Sequence, residues 1–168
     1  MHIETLSQDH ISRLVEFDTK TFPPSMLITQ EDYLEFTSIK DGILAYTEIC
    51  GVWTGVAFAI PAQALKEDVT ENDLSFDPRV DEIYSYSVGV LPSYRGQQMG
   101  SHLSLELARE ARLRGWRFLS AHVRISEGWA KRRRKILPPI TTRIIPDYWD
   151  DDRKEPMEYQ LVDLHTLP

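Results

Sequence analysis

The chain is short of cysteine, of cations and of long apolar runs, and each shortage excludes something. Cys50 is the single cysteine among 168 residues, so no intrachain disulfide can form and the composition suits a reducing compartment. Flanked by Ile49 and Gly51 in an apolar stretch, Cys50 reads as a small buried hydrophobe rather than a nucleophile. Lys and Arg number 19 against 26 Asp and Glu, a formal net charge of −7. That balance disfavours wholesale binding to a nucleic-acid backbone and favours cationic partners such as amines or basic peptides. No apolar run reaches the roughly 20 residues of a membrane-spanning helix. Met1-His2-Ile3-Glu4 lacks the basic and apolar regions of a secretory signal, so a cytoplasmic location is expected. His2, His10, His102, His122 and His165 show no metal-ligand spacing, and no metal site is expected.

What is present fits one folded domain spanning 1–168, with 42% hydrophobic and 27% charged residues. Residues 1–6 read as a short strand. Ser7 and Asp9 can cap a helix whose Ile11, Leu14, Val15 and Phe17 recur near the 3.6 period, and Phe22-Pro23-Pro24 ends it. Thr29 starts a second helix with Glu31 and Asp32 in its first turn and Tyr33, Leu34 and Phe36 as its apolar side. Strands follow over 43–49 and 52–60, joined by a tight connection at Cys50-Gly51. Residues 62–80 have no period and read as a long acidic loop with at most one helical turn. A strand over 81–90 leads into a helix that sets Met99, Leu103, Leu107 and Ala111 on one stripe and ends at Gly115. A strand over 116–124, a basic helix over 127–137 stopped by Pro138-Pro139, and strands over 140–145 and 158–164 around an acidic loop complete the chain. The order β-α-α-β-β-β-α-β-α-β-β argues for a mixed α/β fold with helices on both faces of the sheet.

One stretch stands out: Val90-Leu91-Pro92-Ser93-Tyr94-Arg95-Gly96-Gln97-Gln98-Met99-Gly100-Ser101. A strand, a polar turn with glycines and a helix start follow each other there. That sequence of elements aims free main-chain N–H groups at one spot, which suits a phosphate or pyrophosphate. This turn resembles the acetyl-CoA signature of the GNAT acyltransferase superfamily, V-x-P-x-x-R-G-x-G-x-G, and the element order resembles that family from end to end. Gln98 stands where the family has glycine. The resemblance implies a GNAT-like fold with a central mixed, largely antiparallel sheet of about seven strands. It implies an acetyl-CoA-dependent N-acetyltransferase that moves the acetyl group directly to a primary amine, whether a small amine, a polyamine, a lysine or a protein N-terminus. The alternative is a weak or inactive GNAT-like module that binds CoA and regulates a partner.

The resemblance also assigns roles. Arg95 and the N–H groups of Gly96, Gln97, Gln98, Met99, Gly100 and Ser101 would meet the pyrophosphate, while Val88 and Val90 would pair with the pantetheine arm. Gly89 within the strand is consistent with a bulge or with close approach of another backbone. The chemistry needs an oxyanion donor, for which a main-chain N–H near Val88 would serve, and a general base near the amine. Glu82 is the favoured base, because strand parity puts Glu82, Tyr84, Tyr86 and Val88 on one face. The family's helix tyrosine and asparagine are missing from 126–135, so Tyr148, Tyr84 or Tyr86 stand in as the acid. Phe22, Met26, Tyr33 and Trp149 would wall the acceptor, and Asp150, Asp151 and Asp152 would attract a cation. The run Lys131 to Lys135 reads as a solvated helix face first, as a contact to the CoA 3′-phosphate or a partner subunit second, and as a nucleic-acid site last. A homodimer is admitted.

Overall fold

Local chemistry sets the helix starts. The structure, a computed structural model, describes residues 1–148 and 155–167; Trp149 and Asp150, Asp151 and Asp152 lie outside them. Seven strands, β1 (His2–Thr5), β2 (Ile43–Ile49), β3 (Val52–Pro61), β4 (Glu82–Val90), β5 (Phe118–Arg124), β6 (Thr141–Ile145) and β7 (Met157–Asp163), form one sheet in the order β1-β2-β3-β4-β5-β7-β6. Five α-helices accompany them among the described residues: α1 (Ile11–Thr21), α2 (Gln30–Ser38), α3 (Lys66–Asn72), α4 (Met99–Leu113) and α5 (Trp129–Ile136). The mixed, mostly antiparallel sheet agrees with the sequence reading, and so does the element order apart from α3. Contacts divide the chain into two units, Met1–Ile60 with Ser85–Glu110 and Pro61–Tyr84 with Ala111–Pro168.

In the first unit, α2 starts where the Thr29 hydroxyl accepts from the Asp32 N–H and the Asp32 carboxylate accepts from the Thr29 N–H. These reciprocal bonds satisfy two main-chain donors that a helix start leaves open. α1 buries Ile11, Leu14 and Phe17, and α2 buries Tyr33 and Phe36. Leu34, expected on the apolar side of α2, is exposed instead. Tyr33 is wholly buried, so it belongs to the core and not to an acceptor wall. The antiparallel β2–β3 hairpin turns through Cys50 and Gly51 at φ 50° and 81°. Two consecutive left-handed residues make the tight turn that matches strand twist, and they leave Cys50 exposed at its tip. The expectation of a buried Cys50 is therefore corrected.

In the second unit, the segment expected as an acidic loop contains a 3-10 turn, Ala62–Leu65, followed by α3. Leu65, Val69, Asp73 and Phe76 are buried in it. Its few apolar anchors sit among many carboxylates, too sparse to reveal a period. The opening of β4 pairs parallel with β5 over Glu82–Tyr84 and Phe118–Ser120. β5 pairs antiparallel with β7, and β7 with β6. Ile83, Leu119, Leu137 and Val162 are fully buried. Among the described residues no helix is long and apolar enough to cross a membrane.

Candidate active site

Strand β4 serves both units. Its first three residues, Glu82 to Tyr84, belong to the second, and Ser85 to Val90 belong to the first. Two chemically different settings result, one in each unit.

In the first unit the strand runs out into the polar turn. The Leu91 N–H donates to Thr54 O at 3.0 Å, and a 3-10 turn follows over Pro92–Tyr94. Arg95 folds back onto main chain: its Nε donates to Val90 O at 3.1 Å and its Nη2 to Thr21 O at 2.9 Å. Arg95 thus ties the turn to the strand end and to the end of α1. Gly96 and Gln98 both have positive φ, 82° and 61°. At Gly96 a side chain would meet open space, so the left-handed backbone alone requires glycine there. At Gln98 the same backbone is held by a side-chain-bearing residue, a strain of about 1 kcal/mol. The His102 N–H reaches Gln98 O at 3.0 Å, so helix geometry leaves the N–H groups of Met99, Gly100 and Ser101 before that first bond without an intrahelical acceptor. An exposed turn over Ser93, Arg95, Gly96, Gln97 and Gln98 followed by these donors is chemically suited to a phosphate group.

The neighbouring strand residues are sterically defined. A Cβ on Gly89 would lie 2.8 Å from Phe22 Cζ and 2.9 Å from Phe17 Cε1. The close approach expected at Gly89 is therefore made by two aromatic rings of the α1 region, not by another backbone. Tyr86 packs its ring on Phe36 and Phe58 at 4.5 and 5.5 Å between centroids. Val88 and Val90 are half-buried, and each has a methyl near Gly100, Val90 Cγ2 within 3.6 Å and Val88 Cγ1 within 3.9 Å of a Cβ built there.

In the second unit, Tyr84 heads a buried polar chain. Its hydroxyl lies 2.8 Å from His122 Nδ1, and His122 Nε2 lies 2.9 Å from Asp73 Oδ2. The other Asp73 oxygen accepts from Arg143 Nη1 and from the Ser75 N–H. The side chains of His122 and Asp73 are 1% and 3% exposed. Burial pushes the Asp73 carboxyl up, but the hydrogen bonds from His122 and Arg143 and the Arg143 charge outweigh it and hold the group at about 2. Burial also lowers His122, against the opposing pull of Asp73, so the imidazole is neutral at pH 7. An ionised carboxylate only accepts, which puts the single imidazole proton on Nε2. Nδ1 is then a lone pair, and the Tyr84 hydroxyl donates to it. Rings close around His122: Tyr148 at 4.7 Å, Tyr159 at 5.2 Å and Phe76 at 5.9 Å between centroids. Burial raises the Tyr148 phenol to about 12 and raises Tyr159 further.

The three proton-transfer residues expected from sequence, Glu82, Tyr84 and Tyr148, all fall in this unit. Tyr84 and Tyr148 both meet His122. Glu82 is 1% exposed, accepts from Tyr159 at 3.3 Å through Oε1, and accepts from the Arg79 N–H at 3.2 Å through Oε2. Both its oxygens are engaged inside the protein. Sequence reasoning missed Asp73, His122, Arg143 and Tyr159. A signal existed for one of them: Tyr84 pairs with Ser120, so β5 parity puts His122 on the face of Tyr84. Asp73 carried no such signal within an acidic stretch. The basic run also divides. Arg133 is buried and donates to Gln160 Oε1 at 2.9 Å, and Arg134 pairs with Glu158 at 3.0 Å. The run is thus not a uniformly solvated face, and only Lys131, Arg132 and Lys135 remain as its outward cations.

No protein-family model matches the chain, and no curated protein sequence matches it. Solved structures do. The ribosomal-protein-S18-alanine N-acetyltransferase from Escherichia coli is similar at 15% identity and a TM-score of 0.70, over 97% of this chain and 93% of that one. The yncA protein from Salmonella typhimurium, solved with acetyl-CoA, is similar at 17% identity and a TM-score of 0.70, over 100% and 97%. GphF, a GNAT-like decarboxylase in complex with isobutyryl-CoA, is similar at 16% identity and a TM-score of 0.68, over 98% and 100%. These likenesses establish that the chain has the GNAT fold along its whole length.

Proposed function

We propose that this chain with the GNAT fold is an acetyl-CoA-dependent N-acetyltransferase acting on a primary amine, with a cationic acceptor preferred. The observation that carries the reading is the turn between β4 and α4. It presents main-chain donors at a helix start, follows the strand end directly and is pinned by Arg95 to two carbonyls. The likeness to proteins solved with acetyl-CoA and isobutyryl-CoA supports acyl-CoA as the ligand.

In this reading the N–H groups of Gly96 to Ser101 hold the pyrophosphate. Arg95 acts mainly by fixing the turn, since two of its donors are committed to main chain. Val88 and Val90 offer main-chain groups to the pantetheine arm. The Val88 N–H serves the oxyanion as the tetrahedral intermediate forms. Acetyl-CoA supplies the activated acyl group; the chain orients it and handles protons. For proton transfer Glu82, Tyr84 and Tyr148 remain the candidates; all three are buried, Glu82 engaged on Tyr159 and the Arg79 N–H, and Tyr84 on His122, against which Tyr148 packs.

Calorimetric titration with acetyl-CoA, followed by free-thiol release with a panel of polyamines, lysine peptides and peptide N-termini, tests the reading. Binding with amine-dependent thiol release supports it. Binding without turnover over the whole panel favours a regulatory CoA-binding module, and absence of binding removes both.

A further inference from the structure

We infer that two threonines beneath the turn after β4, Thr47 and Thr54, are positioning residues that hold its two ends and so set the main-chain donors of α4 for phosphate. The inference rests on the acyl-CoA reading above and adds to it two residues of the β2–β3 hairpin, remote in sequence from the turn. All the groups involved lie in the first unit.

The hairpin is irregular where the turn rests on it. Thr47 faces Gly55 and Glu48 faces Trp53, so Thr54 is the extra residue of a β-bulge. Thr54 is wholly buried. Its carbonyl accepts the Leu91 N–H at 3.0 Å, which fixes the start of the turn. Its hydroxyl lies 3.0 Å from Thr47 Oγ1, and Thr47 Oγ1 donates to Met99 Sδ at 3.2 Å, which fixes the end. Each hydroxyl has one proton to give, and a thioether sulfur only accepts. Thr54 donates to Thr47 and Thr47 to Met99 in the arrangement that serves all three groups; Gly55 O is the more distant acceptor for Thr47, at 3.5 Å. Gly55 lets the helix come this close. A Cβ there would lie 2.8 Å from Met99 Sδ, 2.8 Å from Leu103 Cδ1 and 3.0 Å from Thr47 Oγ1.

This seat bears on phosphate binding because Met99 is both anchor and donor. It is the first residue of α4, and its N–H is among those that helix geometry leaves without an intrahelical acceptor. Helix ends fray where nothing ties them down. Between the two tied ends stand Gly96 and Gln98 in left-handed backbone. A strained residue such as Gln98 persists where its surroundings over-determine it. Arg95 ties the turn to the end of α1, and the threonine pair ties it to the hairpin. An array of donors that is already set loses less conformational freedom when a phosphate arrives, so the seat acts on affinity.

Calorimetric titration with acetyl-CoA and amide hydrogen exchange of the unliganded full chain test the inference. Thr47→Val keeps the branched shape that suits a strand and removes the hydroxyl, while Thr54 retains Thr47 O as an acceptor at 3.2 Å. It should weaken acetyl-CoA binding by about fivefold. Thr47→Ser, which keeps the hydroxyl, should restore the affinity of the unaltered chain. Met99→Leu removes the sulfur at similar volume and should give the same loss, with no further loss when it is combined with Thr47→Val. In turnover, KM for acetyl-CoA should rise by the same factor with kcat unchanged. In the unliganded chain Thr47→Val should speed exchange of the His102 N–H, which closes the first turn of α4 on Gln98 O, by about fivefold, and leave Leu107 in mid-helix unchanged. Equal affinity of Thr47→Val and the unaltered chain overturns the inference, whether or not His102 exchanges faster. Additive losses in the double variant overturn it as well. If Thr47→Val fails to fold, Met99→Leu decides by the same affinity and exchange readings. An unaltered chain that binds no acetyl-CoA is a separate result, which removes the parent reading and this inference with it.

Discussion

Among the described residues each unit buries one aspartate, against a tyrosine in one and a histidine–tyrosine pair in the other, and the two carboxyls behave oppositely. In the first unit Asp18 is 2% exposed and accepts from the Tyr33 hydroxyl at 2.7 Å. In the second Asp73 is 4% exposed and accepts from His122 and Arg143. Burial raises Asp18 to about 6, because the Tyr33 hydroxyl and a main-chain bond from Ile28 are its only opposing influences. Burial acts in the same direction on Asp73, yet Asp73 sits at about 2. The difference is a neighbouring cation: a neutral phenol can satisfy a carboxylate, but only a charge or a strong donor set offsets its loss of water. Asp18 is thus a packing device that folding would rather protonate, and Asp73 a fixed anion that can orient a histidine.

The largest expected effect comes from breaking the ionised site. Asp73→Ala leaves Arg143 and His122 around an empty carboxylate position and should destabilise by about 3–5 kcal/mol, measured by urea unfolding at neutral pH. Asp18→Asn should do the reverse. Because Asp18 is raised in the folded state, folding is favoured while it is protonated, and stability falls as the pH rises from about 4 through 6. The variant should be more stable than the unaltered chain by about 2 kcal/mol above that window, with the slope flattened and little difference below it. For Asp73 the sign is opposite: its contribution is present above the ordinary carboxylate range and is lost as the pH falls toward 2. Coincident acid profiles for the two variants would break the comparison.

Two smaller effects sharpen the first unit. Gly89→Ala drives a methyl against Phe17 and Phe22 and should cost about 1–3 kcal/mol, read as a lower thermal midpoint. Gln98→Gly relieves the left-handed backbone of the turn and should gain about 1 kcal/mol, read as a higher one. A destabilised Gln98→Gly would show that the glutamine side chain contributes more than its backbone costs.

The glycine-bearing turn after β4 is legible in sequence, because its spacing, its glycines and the flanking elements are all local. The helix start at Thr29 and the β2–β3 turn are legible for the same reason. The buried polar chain of the second unit is not. Tyr84, His122, Asp73 and Arg143 come from four separate segments, and only the register of β4 with β5 brings the first two together. Asp73 is hidden because a carboxylate in an acidic stretch resembles its solvated neighbours until Phe76 and Val69 bury the segment. The apolar flanks of Cys50 suggest burial, but the turn geometry outweighs them and exposes it.

The central claim is that the turn after β4 holds acyl-CoA phosphates on main-chain donors. Calorimetric titration of acetyl-CoA into the unaltered chain and into Gly96→Asp tests it most directly. The substitution sets a carboxylate where no neighbouring atom is crowded, so it repels phosphate at a cost of about 1 kcal/mol of left-handed backbone strain. The account predicts saturable binding to the unaltered chain and at least a roughly tenfold weaker affinity in the variant, with far-ultraviolet circular dichroism unchanged. Equal affinity of the two proteins, or no heat from the unaltered chain at millimolar acetyl-CoA, would contradict it.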